Sequence, residues 1–134
     1  MEFEECQCTP AEILIFSCSG ASNVGQISNQ AAVKLTRDNV GKFFCLAGLG
    51  GHVPAMVESA KVGRRFVVID GCPIACGKET IVHLGYPLTD YVVVSELGIK
   101  KRHNFDLDDS DIEKVCAAVK EKLGRPLPVT GKLD

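Results

Sequence analysis

The chain has 134 residues, of which 46% are hydrophobic and 24% are charged, and its formal net charge is −2. This length and composition are typical of one globular domain with its own hydrophobic core. The small negative charge gives no reason to expect nucleic acid or an acidic membrane surface as a partner. No apolar run reaches the roughly 18 residues of a membrane span, and the N-terminus lacks the features of a secretory signal.

A leader, a strand and a helix are predicted in the first third of the chain. Residues 1–10 are polar and predict a loose leader. The apolar run at 12–18 predicts a strand that is buried on both faces and ends in Cys18. After a turn of small residues, apolar side chains recur at helical spacing, which predicts a helix over 22–36.

Two further strand–helix units are predicted in the middle of the chain. The strands are expected over 42–46 and 65–70, and the helices over 53–62 and 73–84. The residues at 47–52 are rich in glycine and predict a turn.

The last predicted unit closes the domain. A strand is expected over 91–94, and the final helix is expected to begin at the N-cap candidates 108–110 and to end at Leu123. Residues 125–134 predict a loose tail, so the predicted domain covers residues 11–124.

The regular alternation of strands and helices predicts the fold class. It is typical of a single three-layer α/β domain of the doubly wound type, Rossmann-like or flavodoxin-like, with a mostly parallel sheet of about four strands. Such sheets bind ligands outside the carboxyl ends of their strands.

Cysteines are placed at this edge of the predicted sheet. The chain has seven cysteines, and this odd number in an α/β pattern favours a reducing, cytoplasmic location over a disulfide framework. Cys18, Cys45 and Cys72 lie at or near the ends of the first three predicted strands. If those strands are neighbours, the three thiols meet at one edge together with Cys76.

The segment from Asp70 to Cys76 adds a local argument. Pro73 suits the first position of a helix, which would place Cys72 at the N-cap and Cys76 one turn later. The positive end of the helix dipole favours thiolates, the form of cysteine that binds metal. The sequence therefore predicts a metal site made of Cys18, Cys45, Cys72 and Cys76. Burial as a small hydrophobic residue explains any single one of these cysteines well, but it is a weak explanation for three that coincide with three strand ends.

These motifs resemble those of the DGC-domain family, which is named for the Asp-Gly-Cys sequence found here at 70–72. The matching stretches begin at Cys18, Phe44 and Asp70, and the resemblance extends over residues 11–123. It implies that Cys18, Cys45, Cys72 and Cys76 chelate a metal, and zinc is the inferred metal. The resemblance does not by itself imply an enzymatic activity.

Three functions remain open at this point. Four thiolates suit zinc in a structural, carrier or sensing role, and they equally suit an iron–sulfur cluster in electron transfer or cluster handling. The third is a thiol-redox enzyme that uses Cys72 and Cys76, although the sequence carries no recognisable catalytic motif. Apart from the metal ion, the sequence identifies no partner, and a homo-oligomer remains open.

Other polar residues near the predicted edge have simpler interpretations. Asp70 suits a turn, where its carboxylate would accept a backbone N–H. His52 is expected at the surface near a helix start, and Cys116 in the core. Cys6 and Cys8 precede the first strand and so start at the opposite end of the sheet, although the leader is long enough to fold back, and whether Cys6, Cys8 or His52 joins the site stays open.

Overall fold

The computed structural model describes residues 3–4, 9–125 and 127–128 of the chain. The strands of this part are β1 (Phe3–Glu4), β2 (Ile13–Ser17), β3 (Lys42–Phe43), β4 (Arg65–Asp70), β5 (Asp90–Val93) and β6 (Leu127–Pro128). β1 and β6 pair antiparallel. The other four form a parallel sheet in the order β3-β2-β4-β5.

Helices follow the strands of this parallel sheet. They are α1 (Asn23–Arg37), α2 (Leu46–Gly50), α3 (Pro54–Ser59), α4 (Cys76–His83) and α5 (Asp109–Leu123). Short 3-10 turns cover Pro10–Glu12, Ala60–Val62 and Val94–Leu97. None of the helices within the described residues has both the length and the apolar character needed to cross a membrane.

The sheet separates two hydrophobic cores, because side chains alternate between the faces of a strand. On one face Ile15 and Val67 pack with the apolar sides of α1 and α5. On the other face Phe16 and Val68 pack with residues of α2 and α4, and with partly buried side chains of α3. Helices on both sides of a parallel four-stranded sheet confirm the predicted three-layer, doubly wound α/β fold.

The two long helices begin as their sequences predict. The Ser22 hydroxyl accepts a hydrogen bond from Gly25 N (3.1 Å) at the start of α1. The Asp108 carboxylate accepts from Ser110 N (2.9 Å) at the start of α5. These caps satisfy amides that lack a partner within the helix.

The prediction of a glycine-rich turn at 47–52 is wrong, because most of these residues belong to α2. Cys45 is the N-cap of α2, and β3 therefore ends earlier than predicted, at Phe43. A Cβ on Gly48 would lie 2.7 Å from Cγ of Met56. Glycine at this position thus allows α2 to lie close to α3, a contact that local sequence signals do not show.

The predicted start of the third helix is also wrong. α4 begins at Cys76 instead of residue 73, and Ala75 before it has a left-handed backbone with φ of 63°. Cys72 and Pro73 lie in the preceding turn, so Cys72 is not the N-cap. The physical reason is Asp70, whose carboxylate accepts hydrogen bonds from the free amides of Gly77 and Lys78 in the first turn of α4 and so favours a start at Cys76.

The termini are described only in part. Of the predicted leader 1–10, the structure describes only residues 3–4 and 9–10. Of the predicted tail 125–134, it describes only residues 125 and 127–128. Cys6 and Cys8 also lie outside them.

We expect Gly71→Ala to lower the free energy of unfolding by about 1 to 3 kcal/mol, as overpacking does. A Cβ at this position would lie 2.7 Å from Gly25 N and 2.8 Å from the carbonyl carbon of Val24. Gly50→Ala is the matched control, because its Cβ would meet only Thr80, at 4.0 Å. Urea denaturation of both variants tests this, and equal stability of the two would contradict it.

Candidate metal centre at the carboxyl edge of the sheet

The strand order brings three cysteine-bearing strand ends side by side. β2 lies between β3 and β4 in the parallel sheet. Cys18 directly follows β2, whereas Cys45 and Cys72 follow shortly after β3 and β4. The chain leaves β2 towards β3 and leaves β4 towards β5, so β2 and β4 form the switch point where doubly wound sheets bind ligands.

Cys18 contacts the Asp-Gly-Cys segment directly. Its sulfur accepts a hydrogen bond from Gly71 N at 3.3 Å, and its own N–H donates to Ile69 O at 3.2 Å. The hydroxyl of Ser28 lies 3.5 Å from the same sulfur. These contacts hold the half-buried Cys18 side chain against the turn that leads to Cys72.

Asp70 fixes the start of the helix that carries Cys76. The side chain is 1% exposed, and its carboxylate accepts hydrogen bonds from Gly77 N (2.7 Å), Lys78 N (3.0 Å) and the Tyr91 hydroxyl (2.8 Å). Its predicted role, accepting backbone N–H groups, is therefore the one observed. The carboxylate links the end of β4 to α4 and β5.

Tyr91 is the third donor to this carboxylate. Burial raises the pKa of the Tyr91 phenol well above its usual value, and the hydrogen bond to Asp70 raises it further. The phenol therefore remains protonated over the ordinary pH range and continues to donate to Asp70.

The thiols differ in exposure and in charged neighbours. Cys18 and Cys72 are half-buried, whereas Cys45 and Cys76 are exposed. The ammonium of Lys101 lies 3.6 Å from the Cys72 sulfur. This neighbour is far from Cys72 in the chain, and the sequence did not predict the contact. Its only signal was the run of basic residues at 100–103.

A cavity of about 330 Å³ lies between the elements that carry three of the thiols. Its lining includes Cys18 itself, Phe43 and Leu46 on either side of Cys45, and Thr80. Thr80 lies one turn after Cys76 and donates to the Cys76 carbonyl at 2.8 Å. The ends of β2 and β3 and the start of α4 therefore border a common space.

The thiols share this edge without forming a ready coordination shell. Among the described residues, no three His, Cys, Asp or Glu side chains lie close enough together to hold a metal ion. The donor set itself consists of thiols, which suit tetrahedral zinc or an iron–sulfur cluster. Binding by all four would require side chains to rotate, and the exposed Cys45 and Cys76 are the most free to do so.

The remaining candidates are a pair of histidines and a cysteine in the core. The ring centroids of His52 and His83 are 5.4 Å apart beside a second cavity of about 320 Å³, a pairing that the sequence did not indicate. Cys116 is 1% exposed, as expected for a core residue, and its sulfur lies 3.7 Å from Ala31 O. Burial raises the pKa of the Cys116 thiol.

Comparison with known proteins places most of the chain in a known family. The family model of the DGC domain matches residues 14–119. The chain is 36% identical over 110 residues to the anaerobic and virulence modulator AnvM of Pseudomonas aeruginosa, a match that covers 82% of this chain and 84% of AnvM. No solved structure matches the chain.

Asp70→Asn should destabilise the fold by about 2 kcal/mol or more, because hydrogen bonds to a buried charge are lost. The amide would also turn an NH₂ group towards donors that it cannot satisfy. Asp106→Asn, in an exposed loop, makes the same change of charge and serves as the control. Chemical denaturation compares the two, and equal losses would contradict the role of Asp70.

Tyr91 should make the protein less stable at alkaline pH. Since folding raises its pKa above the usual value of 10.0, the folded state keeps a proton that the unfolded state releases above that pH. The free energy of unfolding should then fall by up to about 1.4 kcal/mol per pH unit above about pH 10. Tyr91→Phe should show a correspondingly shallower slope in denaturation at several pH values. If the free energy of unfolding falls equally steeply with pH in Tyr91→Phe and in the unsubstituted protein, the expectation is contradicted.

Proposed function

The chain belongs to the DGC-domain family, and we propose that it is a metal-binding protein that holds zinc with Cys18, Cys45, Cys72 and Cys76. One observation supports this proposal above all others. Cysteines follow the carboxyl ends of three neighbouring parallel strands, β3, β2 and β4, and the fourth cysteine begins the helix that Asp70 anchors to β4.

The local electrostatics are compatible with a thiolate site. α1 begins a few residues after Cys18, and α4 begins at Cys76. The partial positive charge of helix N-termini offsets part of the negative charge that four thiolates carry. Lys101 adds a full positive charge next to Cys72.

The donor set limits the roles that a bound zinc could have. Four protein thiolates leave no open coordination position, so zinc here would stabilise structure or carry a signal instead of activating water. Cys45 and Cys76 are exposed, which suits a metal that is taken up and released. We therefore propose a carrier or sensing role in the cytoplasm, and the relative named as a modulator is consistent with a sensor.

A second candidate is a thiol-redox protein that uses Cys72 and Cys76. It is favoured by the lysine ammonium 3.6 Å from the Cys72 sulfur and by the short spacing of the two cysteines, since Cys72 lies in the turn before α4 and Cys76 is the first residue of α4. In this function the two thiols would form a disulfide with each other, and Cys18 and Cys45 would be dispensable.

Metal analysis after anaerobic purification separates these functions. We expect one zinc per chain, no strong visible absorption, and a loss of metal affinity of more than about tenfold in each of Cys18→Ser, Cys45→Ser, Cys72→Ser and Cys76→Ser, since even outer-shell changes cost tenfold or more. Cys116→Ser, a cysteine in the core, is the matched control and should keep its zinc.

Three outcomes would contradict the zinc proposal. Iron and sulfide with broad visible absorption would replace it with an iron–sulfur cluster. If Cys45→Ser binds as much metal as the unsubstituted protein, a site with four cysteine ligands is ruled out. A metal-free protein in which only Cys72 and Cys76 are needed for disulfide exchange would establish the redox function.

A further inference from the structure

A strongly basic patch lies at the same edge as the cysteines. It consists of four consecutive exposed residues, Lys100, Lys101, Arg102 and His103. Within the described part of the chain, none of the four forms an ion pair with a carboxylate, in contrast to Lys34, which pairs with Glu113 at 3.1 Å. No carboxylate of the described residues therefore neutralises the charges of Lys100, Lys101 and Arg102, and they are available to an anionic ligand.

The backbone of this patch is held in place by Asn23, the first residue of α1. The Asn23 side-chain amide donates to Lys100 O at 2.8 Å, and its carbonyl oxygen accepts from Arg102 N at 2.5 Å. Asn23 N also donates to Arg102 O at 3.1 Å. Because Asn23 is 5% exposed, these bonds are shielded from water, and the basic side chains are presented from a fixed backbone.

The patch lies next to an accessible nucleophile. The Lys101 ammonium is 3.6 Å from the Cys72 sulfur, which is half-buried. Ile74, two residues further on, is 69% exposed and leaves this side of the turn open to solvent. A thiol beside exposed cations on a fixed backbone is suited to a ligand that carries both a reactive sulfur and carboxylates.

We propose that Cys72 is a site of thiol–disulfide exchange with a low-molecular-weight disulfide that carries carboxylates, which Lys101 and its basic neighbours attract. The Cys72 thiolate attacks one sulfur of the disulfide, a new S–S bond forms, and the original S–S bond breaks. The other half leaves as a thiolate and takes a proton from water. The small disulfide is the oxidant, so the step needs no other co-reactant.

The inference goes beyond the proposed metal site and does not depend on it, since the exchange takes place on the metal-free protein. One consequence does rest on the proposed function. A Cys72 that is modified in this way cannot ligate zinc, so the modification would couple metal occupancy to the thiol redox state.

The test compares three disulfides of different charge on the reduced, metal-free Cys76→Ser protein, in which Cys76 cannot resolve the product. The probes are glutathione disulfide (anionic), hydroxyethyl disulfide (neutral) and cystamine (cationic). The rate of mixed-disulfide formation at Cys72 is followed by peptide mass mapping. The rate with glutathione disulfide is divided by the rate with hydroxyethyl disulfide. Because both rates depend equally on the fraction of Cys72 that is thiolate, this ratio of the anionic to the neutral rate measures how strongly the patch attracts the anionic disulfide.

Lys101→Met should lower this ratio by about threefold at low salt, as expected for the loss of one charge a few ångströms from the ligand. Lys120→Met is the matched control and should leave it unchanged. Lys120 lies near the end of α5, at the opposite edge of the sheet, where Arg65 of β4 donates to the carbonyls of Lys122 and Leu123. In the parent protein the ratio should also fall as salt is raised.

Several results would overturn the proposal. They are an equal ratio in Lys101→Met and its parent, a ratio that does not depend on salt, or preferential reaction at a cysteine other than Cys72. The salt series on the parent protein decides the question even where a variant folds poorly. Zinc binding is measured separately on the unmodified protein, so failure of this inference is distinguishable from failure of the metal site.

Discussion

The buried carboxylate of Asp70 is the interaction on which the candidate site depends. Burying a charge is costly unless hydrogen bonds compensate it, and here two amides of α4 and the Tyr91 hydroxyl do so. The three donors come from α4 and β5, so the carboxylate joins both elements to the end of β4. Gly77 belongs to the same arrangement, because a Cβ there would lie 2.8 Å from an Asp70 carboxylate oxygen. The turn that carries Cys72 therefore lies between the end of β4 and the start of α4, which the Asp70 carboxylate joins.

The other side of the edge is assembled around α1. Cys18 enters from β2 and accepts a hydrogen bond from Gly71 N, while Asn23 holds the loop that carries Lys101. Segments far apart in sequence therefore meet at one place through backbone contacts. In the proposed account, this framework fixes the positions of the thiols, whereas the exposed side chains of Cys45 and Cys76 supply the movement that metal uptake needs.

The sequence predicted the features that depend on local patterns and on general rules of topology. The strand that leads to Cys18 and the helix begun by Ser22 follow from apolar spacing and capping, and the alternation of strands and helices predicts parallel strands, whose carboxyl ends share one edge. Two elements were predicted wrongly because distant residues determine them. Met56 packs on Gly48 where a turn was expected, and Asp70 shifts the start of α4 to Cys76. The contact between Lys101 and Cys72 was missed for the same reason, since only folding brings them together.

The central claim is that all four edge cysteines bind one zinc ion, and X-ray absorption at the zinc edge tests it most directly, because it counts the ligand atoms and measures their distances. On the purified zinc-bound protein, the account predicts a shell of four sulfur atoms at about 2.3 Å, with no nitrogen or oxygen ligand. A shell with fewer sulfurs and a nitrogen or oxygen in their place would contradict it.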